Sequence, residues 1–152
     1  GIAHALLLAE DFVNKDNMTV VLCDNIFEQD FKKSVSNFKS GARIFLKKVP
    51  DPQRFGVATV QNGKVVKIVE KPKRPETQLA VTGIYQYDAN VFEYIRSLKP
   101  SVRGELEISD VNNIYIKKNK MQAEVIKGFW SDAGTFDSLA HTIKWVTKKN
   151  RN

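Results

Sequence analysis

Alternating apolar runs and amphipathic stretches in this 152-residue chain predict an α/β domain, a mixed, largely parallel sheet with flanking helices. Three observations carry that expectation. Met18 to Cys23 is a short continuous apolar run, the pattern of a strand buried on both faces, as parallel strands usually are. Gln61-Asn62-Gly63 stands between two alternating runs, and Asn-Gly in that setting signals a hairpin. Phe136 to Lys149 closes the chain with helical periodicity.

The remaining elements follow in order. Ala3, Leu6, Leu7, Glu10 and Phe12 share one stripe, so the chain opens with a helix. Glu28 to Ser40 returns to helical spacing through Phe31, Val35 and Phe38, and Gly41 ends it. Ala42 to Val49 is a strand, closed by the turn residues Pro50-Asp51-Pro52. Phe55 to Val60 and Lys64 to Val69 are the arms of the hairpin, and Val81 to Tyr87 is a further strand. Asp88 caps a helix holding Val91, Tyr94, Ile95 and Leu98. Ile108 to Lys118 is helical, and Ala123 to Lys127 is a strand before the last helix. No repeat, low-complexity segment or linker interrupts this order, so residues 1–152 read as a single domain.

Composition narrows the function classes. With 42% hydrophobic and 27% charged residues the chain reads as globular, and no apolar run approaches the roughly 18 residues of a membrane span. No membrane partner is expected. Gly1-Ile2-Ala3-His4 has no secretory pattern. The single cysteine, Cys23, excludes an internal disulfide; it reads as a small core thiol suited to a reducing, cytoplasmic location. The net charge of +7 is concentrated in Lys71-Pro72-Lys73-Arg74-Pro75 and in the tail Lys144 to Arg151. Without interleaved aromatics this does not point to nucleic acid; phosphorylated small molecules suit it better.

Several residues stand out as chemistry. Asp24 follows the first strand, where α/β folds gather ligands; Asp24-Asn25 suits either a turn or one ligand of a cation. Asp132 follows another strand just before the last helix, where it could be an N-cap, a role Ser131 or Thr135 could share, or a second cation ligand. Mg²⁺ typically takes one or two carboxylates and fills its other positions with water and phosphate oxygens. Glu70-Lys71 leaves a strand with Pro72 setting an extended path, either as a solvated hairpin exit or as a sugar hydroxyl acceptor beside a phosphate cation. Gly83 in mid-strand marks a bulge or a close approach to the backbone. Arg103-Gly104 is a glycine turn into a helix that Ser109 or Asp110 would cap.

Taken in order, VLCDNIF, RFGVATV, VEKPKRP, AVTGIYQYD, RGELEISDVN and FWSDAGTFDSL resemble the sugar-1-phosphate nucleotidylyltransferases over essentially the whole chain. The resemblance implies a partial nucleotide-diphospho-sugar transferase fold, Rossmann-like, and a Mg²⁺-dependent reaction. In that reaction a sugar-1-phosphate oxygen attacks the α-phosphorus of a nucleoside triphosphate and pyrophosphate leaves. It implies Asp24 and Asp132 as metal ligands, with Lys71 completing the catalytic set, and Gly1, Ile2, Gly56, Glu70, Lys71, Val81 and Tyr85 as the substrate pocket. Relatives that use N-acetylglucosamine often carry Asn where Val81 stands, so the expected substrates are glucose-1-phosphate and dTTP. The glycine-rich loop that should cradle the triphosphate, with its Arg and Lys, is not among these residues. The polypeptide is therefore expected to be truncated, to have weak or no transferase activity by itself, and to self-associate as a homo-oligomer over an exposed sheet edge. A non-catalytic module binding sugar phosphate or nucleotide sugar is the alternative.

Overall fold

The long apolar runs of the chain become two central strands. In a computed structural model describing residues 1–149, β3 (Ala42–Lys48) and β6 (Leu79–Tyr87) lie side by side, antiparallel, at the centre of a six-stranded sheet. Side chains of β3 alternate across the sheet, Ile44 and Leu46 to one face and Phe45 to the other. All three are essentially inaccessible. A strand covered on both faces needs a continuous apolar run, which is why this segment reads as one.

Around this pair the strand order is β5 (Lys64–Glu70), β4 (Gly56–Gln61), β6, β3, β7 (Met121–Val125), with β1 (Met18–Val21) pairing to the C-terminal half of β6. The hairpin expected at Asn62-Gly63 joins β4 to β5, and both residues have positive φ, 50° and 74°, the primed-turn geometry. One face of the sheet is covered by α1 (Ile2–Leu7), α4 (Asn90–Ser97) and α5 (Ile108–Lys117). There Ala3, Leu6, Val91, Ile95, Val111 and Tyr115 bury against Ile44, Leu46, Tyr85 and Tyr87. The short α2 (Glu10–Val13) links α1 to β1, and β2 (Asn25–Phe27) and α3 (Lys32–Ser36) lie between β1 and β3. β2 pairs with β8 (Trp130–Asp132) in a separate two-stranded ribbon, and α6 (Phe136–Lys149) follows. Phe27, Phe31 and Trp130 pack on Phe45, Ile84 and Ile126 beneath the ribbon.

Three expectations are corrected. The sheet is mixed, but its only parallel pair among the described residues is β3 with β7; every other pairing is antiparallel. Hydrophobicity reports burial, not strand direction, and β1, expected parallel, runs antiparallel to β6 with Thr19 and Val21 exposed. The helix over Glu28 to Ser40 shrinks to Lys32–Ser36, because the backbone N–H of Glu28 bonds to Phe129 and the Gln29 side chain accepts from the backbone N–H of Lys127. Cys23 is not a core thiol: it is exposed in the turn after β1. The end of the basic tail, Arg151 included, lies outside the described residues.

Candidate functional site

The turn after β1 and the strand β8 are brought together by the ribbon. Asn25 pairs with Asp132, and the backbone N–H of Ala133 donates to the carbonyl of Asp24 at 2.6 Å. Asp24 and Asp132 are 108 positions apart, yet this pairing sets both side chains on one cleft. The turn reading of Asp24 is also realised, since the Asn25 N–H closes it on the Leu22 carbonyl at 3.0 Å. The capping reading of Asp132 is not. Thr135 and Ser138 cap α6 reciprocally, each hydroxyl accepting from the other's backbone N–H at 3.2 and 3.1 Å, which leaves Asp132 free for the cleft.

A side-chain hub fixes this arrangement. Asn25 Oδ1 accepts from the backbone N–H of Gly83 and from Trp130 Nε1, both at 2.8 Å, while its Nδ2 donates to Asp24 Oδ1 at 2.8 Å. Gly83 makes room for it: a Cβ there would stand 2.4 Å from the Asn25 amide nitrogen. Gly83 also lies in an irregular stretch of β6, where the register with β3 shifts between Ile44 and Leu46. Bulge and close approach are therefore both present, and the approaching group is a side chain of this protein.

The cleft encloses about 250 Å³. All nine residues singled out in the sequence line it: Gly1 and Ile2 from the start of α1, Asp24, Gly56 on β4, Glu70 and Lys71 at the end of β5, Val81 and Tyr85 on β6, and Asp132. Gly56 faces Glu70 across the hairpin, and a Cβ there would come within 3.0 Å of the Ser109 hydroxyl. Lys71 departs from the expected extended path. Its φ is +40°, an uncommon region for a side-chain-bearing residue, held by its N–H bonding to the Phe55 carbonyl at 3.0 Å.

Electrostatics divide the cleft. At one end, Arg54 reaches both oxygens of Asp132 (3.2 and 3.4 Å) and Asp51 Oδ2 (3.0 Å). Burial pushes the Asp132 carboxyl above its ordinary range and the charges of Asp24 and Asp51 add to that, while Arg54 and a backbone N–H oppose it. At the other end Arg103 faces Glu70, Glu105 and Glu107, each at 3.7 Å, and Glu70 accepts from Ser109 Oγ at 2.5 Å. Burial, then the charges of Glu70 and Asp24, raise the Tyr85 phenol well above its usual value, so it remains a neutral hydroxyl at physiological pH.

A family model described as Nucleotidyl transferase matches residues 1–149. The chain belongs to the nucleotidyl transferase family. It is 41% identical over 96% of its length to a glucose-1-phosphate thymidylyltransferase of Neisseria meningitidis, of which it covers 53%. A crystal structure from Bacillus anthracis, provisionally assigned as a glucose-1-phosphate thymidylyltransferase and solved with sucrose, superposes with TM-score 0.86 at 53% identity, covering 93% of this chain and 58% of that one. A UDP-glucose pyrophosphorylase in complex with UDP-glucose superposes equally well, TM-score 0.86, at 24% identity over 98% of this chain and 62% of that one; this likeness shows the fold. The chain thus spans about half the length of the curated relatives it matches.

Other residues of the cleft, Arg54, Ser109, Arg103 and Asn25, have no separate signature in the sequence. In the sequence Arg54 sits in a proline turn, Ser109 at the start of a helix, and Arg103 in a glycine turn. Asn25 stands beside Asp24 in a pair that suits either a turn or a cation site, with no role of its own. A charged residue beside a Pro-rich turn and a serine at the start of a helix carry no signal of their own. Only the pairing of β2 with β8 and the packing of α5 on β5 disclose them.

Proposed function

We propose that this cleft binds a sugar-1-phosphate beside a divalent cation, as part of nucleotidyl transfer from dTTP to glucose-1-phosphate giving dTDP-glucose and pyrophosphate. The observation that supports it best is a single one: the paired carboxylates Asp24 and Asp132 open onto the same cleft as Glu70, Lys71, Val81 and Tyr85. The donor set fits Mg²⁺, which accepts two carboxylates and takes its remaining oxygens from water and phosphates. Bound there, the ion would supply neutralisation of the charge that builds on the phosphates.

The chain's own residues do the rest. Lys71 and Arg103 are exposed cations at the rim, placed to hold a phosphate. Glu70, fixed by Ser109, accepts from a sugar hydroxyl. Val81 and the bare backbone at Gly56 give the sugar ring an apolar wall with no room for a larger side chain. Tyr85 offers a neutral hydroxyl donor. A sugar phosphate is already an anion, so its oxygen needs no general base, and alignment supplies the catalysis.

Titration calorimetry tests this reading: glucose-1-phosphate binds, and Lys71→Ala weakens it at least tenfold, the scale of a lost charge-assisted contact. Mg²⁺-dependent pyrophosphate release, however weak, disappears in Asp24→Ala and Asp132→Ala. Absence of any sugar phosphate binding would defeat the reading. The open edge of β1, unpaired among the described residues on the side away from β6, supports self-association as well. Sedimentation at micromolar concentration should show a dimer or larger, and a clean monomer would refute it.

A further inference from the structure

We propose that Arg54 is the resident counter-ion of Asp132: it competes with a divalent cation for that carboxylate, so that the cleft holds a bare ion weakly and takes one more readily together with phosphate. The inference rests on the metal reading above and goes beyond it by giving a role to a residue outside the expected ligands.

The geometry is that of an arginine with two docks. Its Nη2 approaches both carboxylate oxygens of Asp132, 3.2 and 3.4 Å away, while Nη1 holds Asp51 Oδ2 at 3.0 Å. The guanidinium carbon also lies 5.2 Å from the centre of the Phe55 ring. Asp51 and Phe55 flank Arg54 in the chain, so they travel with it; Asp132 belongs to a distant strand. If Asp132 is taken by another cation, the guanidinium keeps one carboxylate and one aromatic face. Releasing Asp132 therefore leaves no orphaned charge.

The consequence is a charge balance. Arginine stays protonated at any physiological pH, so this positive charge is permanent. It sits against Asp132 and Asp51, while Asp24 is held separately by Asn25 Nδ2. A bare divalent ion must displace it from one ligand and sit a few ångström from it, which is unfavourable. An ion accompanied by phosphates brings negative charge of its own, which the freed guanidinium and Asp132's new partner both tolerate. Ligand sharing thus couples ion entry to phosphate entry.

The test is binding of Mn²⁺ alone to the 152-residue chain, read from the electron paramagnetic resonance signal of the free ion. Arg54→Gln should bind Mn²⁺ about tenfold tighter than the parent, the scale expected when a unit charge a few ångström away is removed in partly solvated surroundings. Arg54→Lys, which keeps the charge, should stay close to the parent. Adding Asp132→Asn to Arg54→Gln should erase the gain. An Arg54→Gln chain that melts like the parent yet binds Mn²⁺ no tighter, while Asp24→Asn still weakens binding, would overturn the competition and leave the metal site standing. Mn²⁺ binding indifferent to Asp24→Asn and Asp132→Asn in both backgrounds would overturn the metal site, and the competition with it.

Discussion

The helix-covered face of the sheet and the cleft at its edge use the same strands and are held together by opposite means. Under α1, α4 and α5, Ile44, Leu46, Tyr87, Ile95, Val111 and Tyr115 are all but sealed from water, and Tyr85, Tyr87 and Tyr115 stack at 6.0 and 5.8 Å between ring centres. At the cleft, Asp24, Lys71 and Arg103 are exposed and their places are set by hydrogen bonds and ion pairs. Apolar burial is worth about 25 cal/mol per Å², whereas exposed ion pairs contribute about 0–1 kcal/mol each. The core therefore carries the stability, and the cleft is free to carry unbalanced charge.

Substitution should separate the two regions cleanly. The largest effect belongs to the core: Ile44→Ala or Leu46→Ala should cost about 2–5 kcal/mol in chemical denaturation, the range for emptying a sealed aliphatic site. Equal stability of the parent and these variants would erase the contrast. Next comes Gly83→Ala, which bridges the regions. A methyl 2.4 Å from the Asn25 amide expels that side chain, and with it the bonds to Gly83 and Trp130. A loss of about 1–3 kcal/mol is expected, accompanied by a shift in Trp130 fluorescence. Thermal melting without any change in that fluorescence would mean that Asn25 is not the hub.

How much of this was legible in the residues divides along the same line. Burial and periodicity speak for neighbouring positions, so β3, β6, the Asn-Gly hairpin and α6 could be read within a residue or two of their ends. The cleft depends on a meeting of distant segments, which periodicity cannot express. Asp24 and Asp132 drew notice as acids after strands, but the ribbon that joins them is two three-residue strands, too short for any pattern. Ser109 and Arg54 were masked by local roles, a helix start and a proline turn, that any chain might contain. Strand direction was lost for a similar reason: an antiparallel edge strand and a buried parallel one can share one apolar run.

Smaller effects sharpen the comparison at the cleft. Ser109→Ala removes the donor to Glu70 and should weaken glucose-1-phosphate about three- to tenfold in calorimetry, near 1 kcal/mol, while melting changes little. Unchanged affinity would show that Glu70 needs no support. The smallest effect concerns pH. The folded-state pKa of Asp132 is raised above its ordinary value near 3.8, chiefly by burial, so its ionisation opposes folding. The associated stability is fully present below that ordinary pKa and is lost as pH rises through the raised one. Asp132→Asn should therefore melt slightly higher than the parent at neutral pH, with the difference vanishing as pH falls below about 4. A variant that melts lower at neutral pH would mean that the Arg54 pair outweighs burial.

The central claim is that two carboxylates from β2's turn and β8 share one ion within reach of a sugar phosphate. Paramagnetic broadening by Mn²⁺ of the ³¹P signal of glucose-1-phosphate bound to the chain measures that directly. The account predicts strong broadening in the parent, lost alike in Asp24→Asn, in Asp132→Asn and in the double variant. Broadening that survives in both single variants, or that never rises above the level of Mn²⁺ and sugar phosphate without protein, would contradict it.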